Sequence, residues 1–127
     1  MGRAILLIDR DLGFLFWLGR VLDRAGYEAF PAKSVADGVN LLRELHLTVD
    51  LLILNCSLRG ASRLITTMRR AQKGLKTICL DGENHLACLS GIDAVCPKPG
   101  EIDERSEALW VETVSRVLSE PLMRYLH

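Results

Sequence analysis

The sequence lacks an excess of charge of either sign: sixteen lysines and arginines balance sixteen aspartates and glutamates over 127 residues. Without a basic surplus, neither nucleic acid nor an anionic membrane surface is expected as a partner. Long apolar runs are missing too, all falling well short of the ~20 residues that span a bilayer. No signal peptide is visible, since Met1-Gly2-Arg3 leads straight into a short apolar strand. Nor is myristoylation expected, because Leu6 stands where that signal wants Ser or Thr. The four cysteines, Cys56, Cys79, Cys88 and Cys96, form no C-x-x-C pair, and no histidine stands at a metal-ligand spacing from them. They read as reduced thiols acting as small hydrophobes in a cytoplasmic protein. With no Ser-His-Asp set, glycine-rich phosphate loop or metal cluster, neither enzymatic activity nor a cofactor is expected. Internal repeats, low-complexity segments and linkers are also absent.

What the chain does contain is an alternation of short aliphatic runs and helical segments. At 49% hydrophobic and 25% charged residues it can fill the core of one domain. "AILLI" (4–8) reads as a buried strand. A helix follows over 12–24, stopped by Ala25-Gly26. A second, weaker strand covers 27–32 and is ended by Pro31. Ser34 reads as the N-cap of a helix reaching about His46, with Val35, Val39, Leu42 and Leu45 at helical spacing. "DLLILN" (50–55) is a third strand, with four consecutive aliphatic residues as expected for a strand buried on both faces. A helix over 61–73 turns Leu64, Ile65 and Met68 inward and stops at Gly74. Strands at 75–80 and 92–96 and a helix over 102–118 complete the set. Five β-α units in alternation predict a parallel sheet with helices on both faces. The domain is expected over 1–120, with 121–127 as a tail or the start of a linker. Only nine residues separate Asp81 from Gly91, so the fourth helix should be shortened to one or two turns.

The strand ends carry the polar residues. Asp9-Arg10-Asp11 follows the first strand, Asn55 the third, Asp81 the fourth and Lys98-Pro99 the fifth. In an open α/β sheet, ligands bind just past the carboxyl ends of the strands, so these residues are expected to converge on one crevice.

Four segments in order carry a resemblance. "ILLIDRD", "VDLLILNCSLRG", "TICLDG" and "GIDAVCPKP" resemble the strand-end motifs of the receiver domains of bacterial two-component response regulators, and the likeness covers about residues 3–119. It implies a flavodoxin-like, doubly wound five-stranded sheet in the order 2-1-3-4-5, and a cis-like Lys-Pro corner. It also implies phosphoryl transfer from a histidine kinase to an aspartate, with Mg²⁺ held by paired acids. In this comparison Asp9 matches the first acid and Lys98 the lysine that pairs with the phosphoryl oxygens. Arg10 stands in place of the second acid and Asn55 in place of the phosphoacceptor. Asp81 replaces the Thr or Ser that closes onto the phosphoryl group, Gly82 the small residue after it, and Val95 the switch aromatic.

Those departures point one way. A neutral amide is no nucleophile toward phosphorus, so Asn55 cannot form an acyl phosphate. Arg10 puts a positive charge where a hard cation needs an anionic oxygen. Asp81 repels an incoming phosphoryl group. The expectation is a degenerate receiver with a phosphate-free, metal-free polar cluster: Lys98 and Arg10 as cations, Asp9 and Asp81 as anions, Asn55 bridging. Plainer roles stand beside it. Either Asp9 or Asp11 caps the first helix, Asn55 is a turn residue, and Lys98 is a solvated loop lysine. The expected function is signal transduction through contact with a protein partner or in a homodimer. The alternative is a sensor that binds a small molecule in the crevice or is modified at Cys56.

The first helix suggests where contacts form. At about 100° per residue, Phe14, Leu15, Leu18, Val21, Leu22 and Ala25 share its core face, leaving Phe16 opposite and Trp17 at the flank. An exposed patch of Phe16, Trp17 and Leu109 is expected as the interaction surface. Arg69, Arg70, Lys73 and Lys76 read as a solvated helix end.

Overall fold

The computed structural model describes residues 3–80 and 91–119. In chain order these form β1 (Ala4–Ile8), α1 (Leu12–Arg24), β2 (Glu28–Ala32), α2 (Val35–Glu44), β3 (Leu51–Leu54), α3 (Ala61–Ala71), β4 (Lys76–Cys79), β5 (Ala94–Val95) and α4 (Glu104–Ser119). The shortened helix expected over 81–90 lies outside the described residues, as does the tail after Pro121.

The five strands form one sheet, all parallel, in the order β2-β1-β3-β4-β5. Its centre is built by the aliphatic runs. Leu6 pairs with Leu52 and Ile8 with Leu54, and every residue from Leu51 to Leu54 is fully buried. Successive strand side chains point to opposite faces, so each run divides between two cores. Ile5, Leu7, Leu51, Ile53 and Ile78 meet the inward residues of α1 and α4. Leu6, Ile8, Leu52, Leu54 and Cys79 meet α2 and α3. Because all the strands are parallel, their five carboxyl ends lie at one rim.

Local signals set the helix boundaries. Asp11, not Asp9, caps α1, its Oδ1 accepting from the Phe14 amide at 3.1 Å. Ser34 caps α2, its Oγ accepting from the Asp37 amide at 3.1 Å. At α4, Asp103 Oδ1 accepts from the Ser106 amide while Ser106 Oγ accepts from the Asp103 amide, both at 2.9 Å, a reciprocal cap. Gly38 lets α2 lie close on β1: a Cβ there would meet Ile8 Cδ1 at 2.7 Å.

Five expectations about the fold need correction. Trp17 is buried, 8% exposed, with its ring 6.0 Å from that of Phe14. It lies about 40° around the helix from Val21, and the core shared with Trp110 of α4 extends the buried arc that far. Ala25 has left the helix as its C-cap and is exposed. Lys76 does not belong to the solvated end of α3: it begins β4, paired with Leu51, and is 7% exposed. No described peptide bond is cis, so the Lys98-Pro99 corner is trans.

Pro31 does not end β2. It pairs with Leu7, and the strand continues to Ala32. The flanking bonds explain its tolerance: Glu28 N donates to Arg3 O, and Asp9 N donates to Ala32 O. In the alternating pattern of a parallel ladder, positions 28, 30 and 32 then face β1 and position 31 faces outward, where proline's missing N–H costs no ladder bond.

Candidate functional site

Asp9 follows β1 with its side chain turned into the rim, and is 1% exposed. A buried carboxylate is costly unless its oxygens are paired. Both are. Asn55 Nδ2, at the end of β3, donates to Asp9 Oδ1 at 2.9 Å. Lys98 Nζ, from the loop after β5, donates to Asp9 Oδ2 at 2.9 Å. The Asp11 amide approaches the same Oδ2 at 3.4 Å. The Lys98 ammonium also stands 5.7 Å from the centre of the Phe14 ring, within cation–π range.

Asn55 uses both ends of its amide. While Nδ2 faces the carboxylate, its Oδ1 accepts from Ser57 N at 2.9 Å and Ser57 Oγ at 2.6 Å. An aspartate there would meet Ser57 equally well but would turn a second carboxylate toward Asp9. The amide supplies a donor on one side and an acceptor on the other, which suits this position.

Of the residues expected to converge, Asp9, Asn55 and Lys98 form one hydrogen-bonded unit. Asp81 lies outside the described residues. Arg10 does not join the unit. It is exposed, and among the described residues it has no ion-pair partner. Following the alternation at the strand end, it projects away from Asp9, toward the loops after β2 and β3. Phe16 and Leu109 are exposed, at 57% and 56%. Phe16 lines a groove between α1 and α2, Leu109 lies on α4, and Trp17 is withdrawn into the core. The expected three-residue patch therefore does not form.

The donor set does not suit Mg²⁺. A hard dication wants several anionic or carbonyl oxygens. Asp9 offers one carboxylate, already bound on both oxygens, and an arginine follows it. Among the described residues no group of three acidic, histidine or cysteine side chains gathers to hold a metal.

No protein-family model and no curated protein matches the chain. Solved structures do. A CheY-like response regulator receiver domain from Methanospirillum hungatei superposes with a TM-score of 0.76 at 22% identity, over 93% of this chain and 94% of that one. A response regulator from Thermotoga maritima gives 0.77 at 17% identity, over 94% and 100%. Another from the same organism, determined in complex with Mg²⁺ and BeF, gives 0.68 at 22% identity, over 91% and 98%. The chain has the receiver-domain fold of response regulators.

Proposed function

We propose that this chain is a degenerate receiver domain that takes no phosphoryl group at the usual strand end and acts in cytoplasmic signal transduction through protein contacts, with no catalysis of its own. One observation carries this reading: the Asp9 carboxylate is satisfied by Asn55 and Lys98, each at 2.9 Å. Phosphorylation at this strand end would need an acceptor carboxylate, with anionic oxygens free for the metal. Here the lysine already has its anion, the acceptor is an amide, and the three side chains sum to zero charge.

Against modification at Cys56 stands its burial, 4% exposed within the core beneath α3. Cys79 and Cys96 are buried as well. Burial raises the Cys96 thiol pKa, against opposing contributions from a Thr113 hydrogen bond and Arg116, and so keeps it protonated and unreactive.

Incubation with acetyl phosphate and with a histidine kinase, followed by intact-mass spectrometry, tests the proposal. The expected result is no base-labile addition of a phosphoryl group. A labelled peptide containing residues 49–60 would overturn it.

A further inference from the structure

The loops leaving three adjacent strands each contribute a cation to one cavity. Arg10 follows β1, Lys33 follows β2, and Arg59 lies in the loop after β3. Ser34 and Ser57 add hydroxyls to the lining, and Leu58 adds apolar surface. The cavity holds about 390 Å³, and among the described residues no acidic side chain lines it. That volume falls within the range of small-molecule sites. Among the described residues, none of the three cations has a carboxylate within ion-pair distance.

We propose that this cavity binds a small phosphorylated molecule, with its phosphate held by Arg10, Lys33 and Arg59. Three cations lining one concave site, with no acid among its described lining residues, focus a positive potential there. Two guanidinium groups offer the forked donors that match phosphate oxygens, and the lysine adds a point charge. Ser34 Oγ already accepts from the Asp37 amide, which leaves its hydroxyl proton to donate outward. The position agrees with the topology. In a sheet ordered 2-1-3-4-5 the chain reverses direction between β1 and β3, and ligands bind past the carboxyl ends at that switch point. Arg10 and Arg59 come from the loops on its two sides. Asp9, nearby, does not repel an anion, because Lys98 and Asn55 neutralise and cover it.

A small molecule fits better than a polyanion. The chain has sixteen basic and sixteen acidic side chains, so it has no surplus to extend the cavity into a basic surface. The proposal stands whether or not the strand end takes a phosphoryl group.

Titration of the full chain with inorganic phosphate, pyrophosphate and ATP at constant ionic strength, followed by backbone amide shifts and calorimetry, tests it. Saturable binding of at least one probe is expected, with the largest shifts at residues 33–35 and 57–59. Lys33→Gln and Arg59→Gln change exposed side chains and should leave the fold intact. Each should weaken binding about tenfold or more, since each removes a charge-assisted contact. No saturable effect of any probe up to about 10 mM, or binding that survives either substitution, would overturn the proposal. So would binding confined to an RNA oligomer or to phosphatidylglycerol vesicles.

Discussion

The Lys98 ammonium lies 2.9 Å from Asp9 Oδ2, with the lysine side chain 37% exposed and the carboxylate 1% exposed. The pair is asymmetric: one member can reach water and the other cannot. Removing the lysine therefore strands a charge, whereas removing both members leaves only a polar gap.

Lys98→Met is expected to destabilise by about 1–3 kcal/mol, toward the lower end of a broken buried pair because the lysine is partly solvated. Asp9→Asn with Lys98→Met should cost less than the sum of the single changes by at least ~1 kcal/mol, measured as a urea-denaturation cycle. Strict additivity would mean that the contact carries no coupling.

Asn55→Asp restores an acid at the usual acceptor position but sets it against Asp9. The change should cost about 1–3 kcal/mol at neutral pH, from the lost donor and the like-charge contact. In the unfolded chain the two carboxylates are apart and bind a proton less readily, so the native variant gains stability as the pH falls. Melting curves at pH 7 and 5.5, compared with wild type, read this directly. The variant should still fail to label with acetyl phosphate, since Arg10 remains in place of the second acid.

Millimolar Mg²⁺ should leave the melting temperature where Na⁺ at equal ionic strength leaves it. A ligand bound only by the native state adds RT ln(1 + [L]/Kd), about 1.4 kcal/mol at ten times Kd. A shift of several degrees specific to Mg²⁺ would show that Asp9 can release its present partners.

Phe16→Glu and Trp17→Glu should behave oppositely despite being neighbours. Phe16 is 57% exposed, so its replacement should change folding stability by no more than about 0.5 kcal/mol. Trp17 is 8% exposed beside Phe14, so a charge there should unfold the chain or cost more than ~4 kcal/mol. If the groove between α1 and α2 is where copies associate, sedimentation of Phe16→Glu will show loss of the dimer with the fold intact.

Gly38→Ala opposes two effects. Alanine is the better helix former by about 1 kcal/mol. Its Cβ, however, would press on Ile8 Cδ1 at 2.7 Å, and Ile8 is fully buried in β1. Overpacking of this kind costs about 1–3 kcal/mol, so a net loss of about 1 kcal/mol is expected. Chemical denaturation of the two proteins gives the sign.

The sheet was legible in the sequence because buried parallel strands leave continuous aliphatic runs, and Leu51–Leu54 is such a run. The helix starts were legible through their caps: Ser34 is where its hydroxyl suggests. Which of Asp9 and Asp11 caps α1 was not legible, since both are acids near the turn; the decision rests on which one β1 turns inward. Trp17 was misplaced because a helical wheel shows where a side chain points but not how wide an arc the neighbours cover. Trp110 of α4, remote in sequence, widens that arc. Arg10 was misplaced for a related reason. Adjacent residues at a strand end share a location in the sequence but face different sides in space. The cavity it lines draws on three loops, so no single stretch of sequence carries its signature.

The outward position of Pro31 has a consequence for assembly. The outer edge of β2 offers a broken row of donors, and β5 at the other margin is only two residues long. A strand from another molecule would find little to continue along either border. The sheet is thus closed to growth by backbone pairing, as a plank with both long sides planed off cannot be extended by another of its kind. Association is left to side chains on the helical faces, where single substitutions can create or abolish it without disturbing the strands beneath.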